Sequence, residues 1–194
     1  MMPTSFTRRA ALALAATAWL TGAPAAFAQQ KLVAAQSEIS FVSKQMGVPV
    51  AGHFRKFDAQ LAFDPAQPAA GKVAFTIDTG SATLGVPETD AELPKAVWFN
   101  VARFPQATFQ SSAIKAVGPA RYEVAGKLAI KGAEQTVQVP VALAQSAEHT
   151  TATGQFTIKR LAFKIGENEW ADTSMVADDV QVKFKLVFTG MPKL

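Results

Sequence analysis

Val180-Gln181-Val182-Lys183-Phe184-Lys185-Leu186-Val187-Phe188 is the run on which the fold turns. Val180, Val182, Phe184, Leu186 and Phe188 share one phase, and Gln181, Lys183 and Lys185 take the other. Alternation of this kind marks a half-buried antiparallel strand. Working outward, the pattern recurs. Ile39 and Phe41 alternate with Glu38 and Ser40, and Leu61 and Phe63 with Gln60 and Ala62. Val73, Phe75 and Ile77 alternate with Lys72, Ala74 and Thr76. Tyr122, Val124, Leu128 and Ile130 stand opposite Arg121, Glu123, Lys127 and Lys131. Val137, Val139, Val141 and Leu143 form another face, with Pro140 on the other phase, and Phe156 and Ile158 one more. About eight such runs, separated by Gly, Pro, Asn and Asp, point to an all-β sandwich or barrel.

One segment departs from period two. Pro87 to Phe99 opens with acidic residues, as a helix N-terminus does. Leu93 and Val97 lie four apart, and Pro94 between them predicts two short helical turns rather than one helix. The expectation is an extended antiparallel β-barrel of about eight strands with a short helical insertion across one opening. A closed barrel of that size removes its edges and has room for one small ligand. The chain has 14 Phe and one Tyr. Inward Phe41, Phe63, Phe75, Phe156 and Phe184 would give a smooth apolar lining, although the same residues would equally make a filled core.

The first residues read separately. Arg8 and Arg9, the uncharged run Ala10 to Leu20, the breakers Gly22 and Pro24, and Ala26-Phe27-Ala28 have the layout of a secretory signal peptide. The predicted division is a signal peptide over 1–28, cleaved before Gln29, and one barrel domain over 29–194. The expected location is periplasmic, with the Sec or twin-arginine route left open. The apolar run is too short for a spanning helix, which needs about 20 residues, and the mature part has no longer one. There is no Cys, so disulfides, thiol catalysis and thiolate metal sites are excluded. The net charge of +4 includes Arg8 and Arg9, and the remaining Lys residues do not cluster, which argues against nucleic acid. His53 and His149 stand far apart without acidic companions, so no metal site is expected. No G-x-S-x-G motif is present, and no catalytic residue or cofactor is assigned.

The run Ile39-Ser40-Phe41-Val42-Ser43-Lys44-Gln45-Met46-Gly47, followed by Gly52-His53-Phe54-Arg55-Lys56-Phe57, resembles the opening of the YceI family. Phe104-Pro105-Gln106-Ala107-Thr108-Phe109-Gln110-Ser111, the hairpin Val124 to Gly132 with Thr136-Val137, and Phe156 to Arg160 with Phe163 to Gly166 resemble later parts of the family in order. The resemblance implies a lipocalin-like barrel with helical cover, export to the periplasm, and a long apolar cavity for a polyisoprenoid or isoprenoid-quinone-like lipid. Many members carry His where this chain has Gln45, and Arg-Asp where it has Thr89-Asp90.

The expected ligand-binding residues are Phe41, Phe75, Leu128, Ile130, Phe156 and Ile158 on the wall, Leu93, Trp98 and Phe99 at the mouth, and Arg160. Arg160 continues the inward phase of Phe156 and Ile158, and a buried guanidinium needs acceptors. It would either hold a ligand headgroup, pair with Asp90 or Glu92, or snorkel to water. Glu167, Glu169, Trp170 and Asp172 read as a solvated loop before an acid/base pair or a cation site. The favoured function is a non-enzymatic carrier for a long apolar lipid. The alternatives are an enzyme acting on such a lipid or quinone, and a partner-binding module of a membrane redox system.

Overall fold

The computed structural model describes residues 30–194, so the expected signal peptide over 1–28 lies outside the described residues. Eleven strands form one antiparallel sheet that curls into a barrel. They are β1 (Lys31–Leu32), β2 (Glu38–Gln45), β3 (Val48–Phe54), β4 (Phe57–Ala62), β5 (Lys72–Asp78), β6 (Ala82–Thr83), β7 (Gln106–Gly118), β8 (Arg121–Ile130), β9 (Ala133–Ser146), β10 (His149–Lys159) and β11 (Asp179–Thr189). The order around the sheet is β4-β5-β7-β8-β9-β10-β11-β2-β3-β6, with β1 added against β11. The count exceeds eight because two ribbons are bent into halves and the two-residue β1 is added at the edge of β11. β3 runs into β4 at Arg55-Lys56, and β5 runs through a turn into β6. The two bends lie side by side, joined by Arg55 N–H to the Ser81 carbonyl at 3.1 Å and Asp78 N–H to the Lys56 carbonyl at 3.0 Å. The ends of the strand order therefore meet at this corner.

At the opposite end a side chain completes the closure. The Gln30 amide donates to the Phe63 carbonyl at 2.6 Å and accepts from the Phe63 N–H at 2.9 Å. This pair imitates one rung of an antiparallel ladder and ties the start of β1 to the end of β4.

The interior has two unlike ends. At the first, where the β2–β3 and β8–β9 hairpins turn, Leu93, Phe99, Leu128, Ile130, Ile158, Phe163 and Ile165 form one cluster. The insertion that supplies Leu93 and Phe99 is one short helix, α1 (Pro87–Asp90), followed by turns through Arg103. Toward the second end, where the β7–β8 and β9–β10 hairpins turn, lie the clusters around Leu186 and Phe188 and around Phe63, Ile114 and Tyr122. Three glycines of the wall, Gly52, Gly126 and Gly154, are covered by the rings of Phe41, Phe109 and Phe184. Rings laid over strand glycines restore the packing those residues lack.

Candidate functional site

Inward residues of most strands surround a void of about 140 Å³. Its wall exposes only apolar atoms. Phe75, Phe109, Leu128, Phe156, Val182 and Phe184 line its middle, and Phe63, Ile114, Tyr122, Leu143, Phe188 and Met191 its second end. An apolar cavity of this size stays dry and accepts small hydrocarbons, since a water inside would find no partner. It is smaller than the roughly 300–1,000 Å³ usual for ligand sites. A long tail therefore enters only if lining rings change rotamer.

The structure divides the expected residues. Phe75, Leu128 and Phe156 line the void. Ile130, Ile158, Leu93 and Phe99 are buried in the cluster that fills the first end, so the helical insertion is a plug of packed side chains. Trp98 packs on that plug and meets Trp170 at a ring separation of 5.5 Å. Phe41 leans on Phe54, with ring centroids 5.4 Å apart, while its ring tip lies over Gly52. Gln45 sits at the end of β2, bridged to Val176. The phase of these residues reads correctly; their height along the barrel axis does not follow from phase.

Arg160 is only 2% exposed and meets no carboxylate within salt-bridge distance, in contrast to the expected pairing with Asp90 or Glu92. Its five N–H groups are all taken by backbone carbonyls. Nε donates to Ala177 at 3.1 Å, Nη1 to Ile165 and Gly166 at 2.8 Å each, and Nη2 to Trp170 and Val176 at 2.7 Å each. Gly166 has φ +72° and lies so close to Nη1 that a Cβ there would strike the guanidinium. Burial draws the Arg160 pKa down, and the Asp178 carboxylate opposes this. A guanidinium with every donor occupied has none left for a headgroup. Arg160 holds the 165–177 loop to the barrel end, and that is what its inward phase serves.

Asp90 and Glu92 are engaged elsewhere. Glu92 pairs with Lys95 at the surface. Asp90 accepts from the Thr83 hydroxyl at 2.5 Å and from the Leu84 N–H at 2.6 Å, and the same Thr83 oxygen accepts from Arg55 Nη2 at 3.1 Å. These bonds hold the Asp90 carboxyl below its ordinary value, the Thr83 hydroxyl foremost and the Leu84 amide next. A depressed folded pKa gives stability that is present above the ordinary carboxylate value and lost as pH falls through the folded one. Acid unfolding followed by circular dichroism should therefore be shallower in Asp90→Asn, which starts lower at neutral pH and converges with the parent in acid. Parallel curves would remove Asp90 from the acid response.

Lys131 was not foreseen. It is 5% exposed, with φ +49° at the β8–β9 turn. Its Nζ donates to the Lys164 carbonyl at 2.5 Å, the Val97 carbonyl at 3.3 Å and Glu167 Oε2 at 2.9 Å. It fastens the insertion and the 164–167 segment to one hairpin. Two of its three acceptors are backbone carbonyls, which leave no mark in a sequence; the third, Glu167, reads from the sequence only as part of a solvated loop.

An antiparallel barrel curled around an apolar void, with Arg160 and Lys131 holding the cover of its first end, defines a lipocalin-like protein. The model of the YceI-like domain matches residues 30–188, and the chain belongs to that family. It is 33% identical over 134 residues to a UPF0312 protein of Azotobacter vinelandii, covering 67% of this chain and 69% of that one. The crystal structure of Burkholderia cenocepacia BcnA superposes with a TM-score of 0.78 at 49% identity, over 80% of this chain and 98% of that chain. A polyisoprenoid binding domain from Saccharophagus degradans, implicated in plant cell wall breakdown, has the same fold. It superposes with a TM-score of 0.67 at 18% identity, over 83% of this chain and 98% of that chain. Among the described residues no helix is long and apolar enough to cross a membrane.

Proposed function

We propose that the protein binds the hydrocarbon tail of a long-chain isoprenoid or similar amphiphile in the barrel interior and acts, after export, as a periplasmic carrier. The observation that carries this reading is the void's wholly apolar wall. Burying a methylene there gains about 0.8 kcal/mol, whereas any polar group placed inside loses its water without replacement. The headgroup therefore stays outside and the tail decides affinity. The description of the Saccharophagus neighbour as polyisoprenoid binding supports the same ligand class. Binding is favoured over catalysis because a reaction needs polar groups converging on the reacting atom, and the void wall exposes none.

The test is a titration of delipidated protein with prenols of increasing tail length, beside mass spectrometry of organic-soluble material from freshly purified protein. Saturable binding that tightens with each isoprene unit, with little difference between alcohol and carbonyl headgroups, is the expected result. Absence of saturable binding at every length, together with an empty extract, would refute the reading. For the export part, the protein recovered from producing cells should begin at Gln29.

A further inference from the structure

The barrel wall is not sealed all round by hydrogen bonds. β9 and β10 pair from His149↔Ser146 to Gly154↔Val141, and there the ladder stops. Both strands continue. β10 runs on to Lys159, bonded to β11 as far as Lys159↔Asp179, and the other arm of β9 stays bonded to β8 back to Ala133↔Ile130. The two strands thus separate toward the first end. The split opens at Pro140, which has no N–H to give to a ladder. What closes the wedge is side chains and the turn Arg160–Phe163, which packs against β9: Val137 and Phe156 lie against the cluster that holds Ile158 and Phe163, and both are only half-buried despite their inward phase.

The outer surface is indented at the same place. A notch lined by Pro140, Val141, Thr153, Gly154 and Phe184 lies on the outside. Val141 and Phe184 line both this notch and the inner void. Gly154 is the last residue of β10 paired with β9, and on its inner face the Phe184 ring and the Pro140 carbonyl take the place of a side chain at the apex of the fork. Elsewhere the openings are more firmly shut. The first end is filled by its core cluster and by Arg160 and Lys131 with their buried bonds. At the second end the Gln30 side chain is bonded to Phe63, and Gln145 holds the last residues, donating to the Pro192 carbonyl at 3.2 Å and accepting from the Leu194 N–H at 3.1 Å.

We infer that the split between β9 and β10 is the lateral portal by which a hydrocarbon tail enters the void, with the Phe184 ring over Gly154 as its gate. The inference rests on the ligand reading given under Proposed function. Side chains change rotamer in nanoseconds, whereas an intact ladder opens only by local unfolding. A tail that inserts at the fork displaces side chains first. It then widens the opening by unzipping rungs from Gly154↔Val141 toward the β9–β10 hairpin. A lateral slit also lets the tail slide in while the headgroup remains in water, as an all-apolar interior demands.

The absence of cysteine gives a clean background for staples. Ala142 and Thr153 are opposite one another in the ladder, both exposed, just beside the fork. Opposed Cα atoms of an antiparallel pair lie within the range a disulfide spans. Ala142→Cys with Thr153→Cys pins the fork. Lys31→Cys with Thr189→Cys, a registered pair of β1 and β11, pins the other end. The readout is the stopped-flow rate at which N-phenyl-1-naphthylamine, an apolar fluorophore, brightens on uptake. Oxidising the fork staple should slow uptake about ten-fold or more, reversed by reductant, because opening then has to start from a covalently closed rung. Oxidising the end staple should leave the rate unchanged. Phe184→Ala should speed uptake several-fold without any staple. Equal rates in the oxidised and reduced fork variant, slowing by the end staple instead, or an unaltered rate in Phe184→Ala would each overturn the portal. If the cysteine-free parent takes up no fluorophore and binds no prenol, the ligand reading fails and the portal with it. Prenol binding with the wrong staple dependence overturns the portal alone.

Discussion

Arg160→Met should destabilise the protein by about 4 kcal/mol or more, beyond the usual 0.5–3 kcal/mol of a single substitution. The reason is acceptor count. The carbonyls of Ile165, Gly166, Trp170, Val176 and Ala177 all converge on one guanidinium. An apolar replacement of similar length leaves them facing a methyl group, and each buried carbonyl without a donor costs about 1–3 kcal/mol. The sum is not additive, because the 165–177 loop will lift and let water in. Arg160→Lys should recover only part of the loss, since an ammonium has three donors and cannot reproduce the planar fork. Urea unfolding of parent, Met and Lys variants gives the three stabilities. A loss below about 1 kcal/mol in Arg160→Met would show that water replaces the guanidinium without penalty. At low denaturant, where all three remain folded, prenol affinity should be equal, because Arg160 does not reach the void.

The same residue shows what was legible in the sequence. Its inward start follows from counting by two from Phe156 and Ile158, and so does its burial. Its partners do not follow, because carboxylates advertise themselves in a sequence and backbone carbonyls do not. Asp90 and Glu92 were the visible candidates, and they bind Thr83, Leu84 and Lys95 instead. The wall divides along similar lines. Phase placed Phe75, Leu128 and Phe156 inside, where they line the void. Phase equally placed Ile130 and Ile158 inside, but they lie further along the axis, in the filled end. Position along a barrel axis is set by register, and register depends on turns and bulges far from the residue concerned. The helical insertion was recognisable from its acidic start and Pro94, whereas its packing as a plug depends on Phe163 and Ile165, which come from a distant segment. The split does not follow from phase, since both strands keep their alternation through it; Pro140, which cannot donate to a ladder, was its one visible sign.

Adding atoms to the void tests how much room it offers. Ala152 is buried on β10 and lines the void, and Ala107 is equally buried on β7 within the packed first end. Leucine at a well-packed site typically costs about 1–3 kcal/mol through off-rotamer side chains and displaced backbone. That is the expectation for Ala107→Leu. At Ala152 the added carbons have about 140 Å³ to enter. Each newly buried methylene there gains about 0.8 kcal/mol before any strain. Ala152→Leu should therefore be neutral to slightly stabilising, and the two variants should differ in sign or at least by about 1–2 kcal/mol. Ligand binding should respond in the opposite sense. The leucine at 152 stands beside Leu143 and takes up space the tail must fill, so prenol affinity should fall about ten-fold or more, which is 1.4 kcal/mol or more. Ala107→Leu should leave that affinity unchanged wherever the protein remains folded. Paired thermal melts and prenol titrations make the comparison. Equal destabilisation by both substitutions would mean that the interior at Ala152 is as full as the core around Ala107. A stabilised Ala152→Leu that still bound prenol at parental affinity would move the ligand out of the barrel altogether. The opposed responses, stability kept and binding lost at 152 against stability lost and binding kept at 107, follow only if the ligand occupies the void itself.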